Sequence, residues 1–288
     1  MPPLISVYMP THNRVQLLKR AVASVLSQSY KNIELLIVND SSTDGTKAYL
    51  EQLAKGNEKI RVFHMAEPEG ACFARNIAIE AARGEFITGL DDDDEFLPER
   101  LQSLFDAWQE GYSFITSNFY WDFGPSRKLV ATKAMDIYLE DMLSHKYGTN
   151  QAFTRTSYLK DIGMFDVNMP ASQDWDIWIR LLIAKGRAKK IAKPTYVIHT
   201  AHDSPRISIS EKKVEGFQML MRKFDHCMTK KNRKDMAVLL AVMQQRTLTL
   251  PECLTKLSLY TLPYYTRFWI KKNLPIFARV YRKLTGRA

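Results

Sequence analysis

Two acidic stretches of this chain carry residues that could do chemistry. In Gly-Leu-Asp-Asp-Asp-Asp-Glu-Phe, residues 89–96, Asp91, Asp92, Asp93 and Asp94 stand side by side. Adjacent carboxylates repel one another, so a solvated loop or a helix start is their plain use. They are also hard oxygen donors suited to Mg2+ or Mn2+, ions that take one or two carboxylates and complete their shell with water and substrate phosphate. On a departing diphosphate such an ion acts as a Lewis acid. In an extended segment alternate side chains share a face, so Asp91 and Asp93 can converge while Asp92 points away. The second stretch, Ser-Gln-Asp-Trp-Asp-Ile-Trp-Ile-Arg-Leu at 172–181, sets Asp174 before Ile177, Trp178, Leu181 and Leu182 at helical spacing. Asp at such a place is ordinarily an N-cap.

The elements around these stretches follow an alternating pattern. Residues 4–9 read as a strand, Thr11-His12-Asn13-Arg14 as a break, and Leu17, Leu18, Ala21, Val22, Val25 and Leu26 as a helix. The unit repeats with a strand at 34–40, a turn-rich loop at 41–46 and a helix through Leu53. A third strand at 60–64, an Ala-rich helix at 71–82 and a fourth strand at 84–90 complete the series. Such alternation predicts an α/β fold with a mostly parallel sheet flanked by helices. Ligands of these sheets bind beyond the carboxyl ends of the strands, where Asp40 and Asp91 both fall. A helix is expected at 98–109, a strand near 113–123 and a helix at 175–185. Beyond 211 the chain reads as helical and basic.

Composition sets outer bounds. The 288 residues are 45% hydrophobic and 11% aromatic, enough for one large core with a small appendage. Cys72, Cys227 and Cys253 have no metal-type spacing and are odd in number, which fits a reducing compartment. No secretion signal is expected at the N-terminus. The longest apolar runs, such as 237–243, fall short of the roughly 20 residues a spanning helix needs. Charge is divided unevenly: residues 1–210 hold 24 Lys and Arg against 26 Asp and Glu, whereas 211–288 hold 17 against 5. Such asymmetry points to an anionic partner surface.

Together, Ser-Val-Tyr-Met-Pro-Thr-His-Asn-Arg (6–14), Leu-Leu-Ile-Val-Asn-Asp-Ser-Ser-Thr-Asp-Gly-Thr (35–46), the segment 70–94 and the segment 172–181 resemble family 2 glycosyltransferases of the GT-A fold, with its Rossmann-like sheet. The resemblance covers residues 4–210 and implies an inverting, metal-dependent enzyme using a UDP-sugar. It places Pro10, Thr11 and Asn13 in the base and ribose region, where a turn and helix cap is the alternative. It makes Asp40 the acceptor for the uracil imide N–H, where a turn residue is the alternative. It gives Arg75 to the nucleotide site, with a structural salt bridge as the other use. Asp91 and its neighbour Asp92 join the nucleotide set, and Asp93 becomes the ligand for Mn2+ or Mg2+. Asp174 becomes the general base for an acceptor hydroxyl, although Gln173 stands where glutamate usually precedes that aspartate. His202, Arg206 and Ser208 fall where family members reach the diphosphate, a solvated loop being their other reading. Trp178 is expected in the core, and Trp175 either there or against an acceptor sugar.

On this reading residues 1–210 form the catalytic domain, its nucleotide-sugar half over 1–100 and its acceptor half over 101–210. Residues 211–288 form a basic helical extension. There Ile270, Leu274, Phe277, Tyr281 and Leu284 recur at steps of four and three among basic residues, with Pro275 expected to kink the helix. Tyr264, Tyr265, Phe268 and Trp269 suit a lipid headgroup zone. The expected partners are a glycan or lipid-linked acceptor and an anionic membrane, which would place the chain in the cytoplasm on the inner face of the cytoplasmic membrane, in bacterial cell-surface polysaccharide synthesis. No nucleic-acid motif appears. A sugar nucleotidylyltransferase, or a non-catalytic sugar-nucleotide-binding protein at the membrane, is the alternative.

Overall fold

The computed structural model describes residues 2–130, 133–149, 151–201 and 212–275. In chain order they form β1 (Ile5–Thr11), α1 (Val15–Leu26), β2 (Ile33–Asn39), α2 (Thr46–Lys55), β3 (Ile60–His64), α3 (Ala71–Ala81), β4 (Phe86–Gly89) and β5 (Glu95–Phe96). Then come α4 (Arg100–Asp106), β6 (Ile115–Asp122), β7 (Arg127–Val130), β8 (Met135–Ile137), α5 (Leu139–Met142), β9 (Thr154–Arg155), α6 (Thr156–Asp161), α7 (Gln173–Lys185) and β10 (Ala188–His199). Four helices follow: α8 (Lys212–Lys223), α9 (Lys230–Met243), α10 (Leu250–Lys256) and α11 (Thr261–Asn273). Two compact units result, the described parts of Met1–Met142, Lys146–Met169 and Gln173–Pro205 in one, those of Leu143–His145, Pro170–Ser172 and Arg206–Ala288 in the other.

In the first unit one sheet runs in the order β3-β2-β1-β4-β9, parallel from β3 through β4 and closed by antiparallel β9. Every residue of β1 and β2 is buried, which is why both read as nearly continuous apolar runs. Strand order reverses at β1, so the carboxyl ends of β1, β2 and β4 lie at one edge. Leu18, Ala21, Val22 and Val25 bury one face of α1 in this core. At the opposite end of the strands the buried Glu34 accepts from Ser6 Oγ at 2.6 Å, the Arg83 and Gly84 N–H groups at 2.7 and 3.2 Å, and Arg61 at 3.0 Å. Gly84 is required there, because a Cβ would lie 2.6 Å from the Ser6 nitrogen and 2.8 Å from the Leu4 oxygen.

A second sheet of the same unit, ordered β5-β10-β6-β7 with β8 also on β10, differs from the single sheet expected. Its long strand β10 went unpredicted, since Lys189, Lys190, Lys193 and Pro194 break the alternation, and register shifts flank Pro194. Buried Arg100 of α4 joins this sheet together, donating to Ser117 Oγ at 3.1 Å and Thr195 Oγ1 at 2.7 Å between the rings of Phe96 and Tyr196. Other boundaries shift. Thr11 belongs to β1 rather than to a loop, β4 is shorter than 84–90, and α4 is shorter than 98–109.

In the second unit Val238, Ala241 and Val242 of α9 form a core with Leu248, Tyr265 and Phe268. That corrects the expectation for two aromatic residues: Tyr265 and Phe268 are buried, leaving Tyr264 and Trp269 exposed. Helix α11 ends at Asn273, ahead of Pro275, and Phe277, Tyr281 and Leu284 lie outside the described residues.

Candidate active site

The four aspartates follow β4 and alternate in direction. Asp92 and Asp94 are buried, whereas the side chains of Asp91 and Asp93 keep 34% and 15% of their surface exposed. Asp92 accepts from Thr11 Oγ1 at 2.7 Å and Arg14 Nη1 at 3.2 Å. Asp94 accepts from the Tyr196 hydroxyl at 2.8 Å and the His199 N–H at 3.1 Å. Burial pushes the Asp92 carboxyl up to about 6 and that of Asp94 well above the usual range. Asp92, expected among the nucleotide contacts, and Thr11 therefore serve the inside of the loop. They hold Asp91 and Asp93 outward.

Sequence reasoning missed the cations on this loop. Arg14 Nη1 lies 3.1 Å from Asp93 Oδ2 as well as on Asp92, and Arg20 donates to the Asp93 carbonyl. Arg14 is just one residue beyond the Thr-His-Asn tripeptide, but its partners are 78 and 79 positions away.

The residues expected to bind the nucleotide lie at the ends of β1 and β2. Both oxygens of the buried Asp40 carboxylate are held by backbone donors, the Glu69 and Gly70 N–H groups, each at 2.9 Å. Pro10 is buried in β1 beside Val38. Asn13, at φ 53°, accepts from the Thr43 and Asp44 N–H groups at 2.7 and 3.3 Å and so ties the end of β1 to the loop after β2. A short-side-chain amide tolerates this left-handed conformation and can make such loop bonds.

Arg75 of α3 connects the acidic loop to the second acidic stretch. Its guanidinium, over the Phe165 ring, donates to Asp91 Oδ1 at 3.0 Å and to Gln173 Oε1 at 3.3 Å. Asp174 is the second residue of α7, inside the helix rather than at its cap, and Lys146 Nζ lies 2.5 Å from its carboxylate. Lys146 was also missed; it follows no pattern. Tyr8, buried in β1, has its hydroxyl pushed up by burial and by Asp91 and Asp174, against the pull of Arg75. Trp175 is core, its indole donating to the Met142 carbonyl at 2.7 Å, and Trp178 is core as expected. His202, Arg206 and Ser208 lie outside the described residues.

Among the described residues no cluster of three His, Cys, Asp or Glu could by itself hold a metal ion. The outward pair Asp91 and Asp93 fits an ion that uses one or two carboxylates and draws its remaining ligands from water and phosphate.

A mostly parallel sheet flanked by helices, with an acidic loop at its carboxyl edge, is the GT-A fold. Residues 6–165 match glycosyl transferase family 2, and the chain belongs to that family. It is 35% identical over 265 residues to the putative colanic acid biosynthesis glycosyl transferase WcaA of Escherichia coli, covering 89% of this chain and 94% of that one. It is 37% identical over 117 residues to the GalNAc(5)-diNAcBac-PP-undecaprenol beta-1,3-glucosyltransferase of Campylobacter jejuni, covering 40% of this chain and 38% of that one. Among solved structures, S. aureus TarS 1–349 in complex with UDP-GlcNAc superposes with a TM-score of 0.68 at 17% identity, over 93% of this chain and 81% of that chain.

Proposed function

We propose that this chain transfers a sugar, with inversion, from a UDP-sugar to a hydroxyl of a lipid-linked glycan in bacterial cell-surface polysaccharide assembly. The observation that carries it is the Arg75 bridge, 3.0 Å to Asp91 and 3.3 Å to Gln173, which ties the acidic loop to the residue that precedes Asp174 and so supports a leaving-group site beside a base. The UDP-GlcNAc complex of the TarS neighbour and the undecaprenol-linked substrate in the name of the Campylobacter relative support the donor and acceptor classes. The WcaA likeness supports the polysaccharide setting.

In this reading Asp40, aimed by the Glu69 and Gly70 amides, uses its remaining lone pairs to accept the uracil imide N–H. Pro10 and Asn13 shape the base and ribose region, and Asp91, fixed by Arg75, takes the ribose. Asp93 with Asp91 would hold Mn2+ or Mg2+, which when bound offsets charge on the diphosphate. The acceptor oxygen attacks the anomeric carbon from the face opposite the diphosphate, the bond to UDP breaks with its electron pair, and the hydroxyl proton passes to the Asp174 carboxylate. Lys146 holds that carboxylate in place before the acceptor arrives. His202, Arg206 and Ser208 complete the diphosphate contacts, and residues 211–288 attach the chain to the inner face of the cytoplasmic membrane. Among the described residues no helix is long and apolar enough to cross one.

A panel of UDP-, dTDP-, GDP- and CDP-sugars with Mn2+, scored for nucleotide release with and without lipid-linked acceptor fractions, tests this. Release from a UDP-sugar, stimulated by acceptor and lowered at least about 100-fold in Asp93→Ala, is expected. UDP binding without turnover would leave a non-catalytic sugar-nucleotide-binding protein, and preference for a GDP- or CDP-sugar would remove the role given to Asp40.

A further inference from the structure

Exposed large apolar side chains are concentrated in one stretch of the second unit. Leu250 and Leu254, four apart on α10, are 74% and 79% exposed, and Leu259 in the following turn is 95% exposed. On α11, Leu262 and Trp269, seven apart and so on one flank, are 46% and 41% exposed. These are not residues left over from a missing core. Cys253 of α10, Leu257 just after it, and Tyr265 and Phe268 of α11 already serve the α9 core. The opposite flank of α11 carries Tyr264, Arg267 and Lys271, at spacings of three and four, all exposed. Among the described residues no ion pair engages Arg267 or Lys271, whereas Arg246 and Lys256 of the neighbouring segment are both paired with Glu252.

We propose that α10 and α11 form a docking surface for an anionic lipid bilayer, entered by Leu254, Leu259, Leu262 and Trp269 and flanked by Arg267 and Lys271. This deepens the membrane attachment proposed above by moving it from the helical pattern at 270–284 to residues 250–274. Charge decides the occupant. Residues 250–274 hold four Lys and Arg against one Glu, so a second copy laid on this surface would oppose like charges, whereas acidic headgroups complement them. Leucine beside tryptophan with basic residues on the flank is the composition of a helix that lies in the headgroup boundary.

The full chain is tested by flotation with vesicles of phosphatidylcholine alone and of phosphatidylcholine mixed with phosphatidylglycerol. Binding is expected to the mixed vesicles and to fall with added salt. Arg267→Gln/Lys271→Gln is expected to weaken it about 20-fold, and Leu254→Ser/Leu259→Ser about tenfold or more. Tryptophan emission should shift to the blue on binding in wild type and lose that shift in Trp269→Phe. All substituted positions are exposed, so melting temperatures stay at the wild-type value. Equal binding to both vesicle types, no binding, or wild-type binding by both double variants overturns the proposal. So does salt-independent self-association that the leucine variant abolishes without vesicle binding, which would make a second copy the occupant. Nucleotide release from a UDP-sugar by the wild type, assayed without membranes, separates the two readings: no release with vesicle binding intact removes the proposed reaction and leaves this surface standing.

Discussion

At the scale of single residues, the unequal environments of neighbouring side chains assign their work. Arg75 is the clearest case, because one guanidinium serves both acidic stretches. Arg75→Met is expected to lower kcat/KM about 10- to 100-fold, the loss of roughly 1.5–3 kcal/mol from a hydrogen bond between charged groups, read from steady-state kinetics on the UDP-sugar. A cysteine three residues earlier gives a pH test. Burial pushes the Cys72 thiol up to about 11, so it stays protonated at pH 8, and it is also inaccessible. Thiol titration of the native protein at pH 8 should therefore count Cys227 and Cys253 only, with Cys72 appearing on unfolding. Alternation had made the outward direction of Asp91 and Asp93 legible from sequence, because period two is a local property. Arg14 and Lys146 were not legible. Their partners are brought to them by the sheet, and nothing local marks a lone cation as the one that will meet a distant carboxylate.

At the scale of elements, β1, β2 and β3 are joined at their amino ends by Glu34, and the loops carrying Asn13 and Asp40 emerge from the carboxyl ends of β1 and β2. Burial would raise the Glu34 carboxyl, but donors from Ser6, the Arg83 N–H and Arg61 outweigh it, so it titrates below the usual carboxylate range. A carboxyl depressed in this way adds stability above its unfolded value and loses it as pH falls through the folded one. Glu34→Gln should cost about 1.5–3 kcal/mol in urea unfolding at pH 7, with the difference from wild type shrinking below about pH 4. Gly84→Ala, which puts a Cβ against the Ser6 backbone, should destabilise the same junction by at least about 1 kcal/mol. In the first sheet β1, β2 and β4 were legible because they are buried along their whole length and show as plain apolar runs. The second was not, because β10 carries Pro194 and register shifts that hide a strand's period, and its pairing with β6 joins residues more than 70 apart.

At the scale of the molecule, this family 2 chain carries Asp40 just after β2, the outward Asp91 and Asp93 after β4, and Asp174 at the start of α7, and the proposed reaction gives each a part. In the proposed reaction proton removal and leaving-group stabilisation are separate tasks, the first given to Asp174. Single-turnover transfer from a UDP-sugar, measured beside UDP binding by calorimetry for wild type and Asp174→Asn, tests it most directly. UDP affinity within about twofold of wild type, with transfer slowed about 100-fold or more, is the expected result. Transfer at the wild-type rate by Asp174→Asn would contradict it.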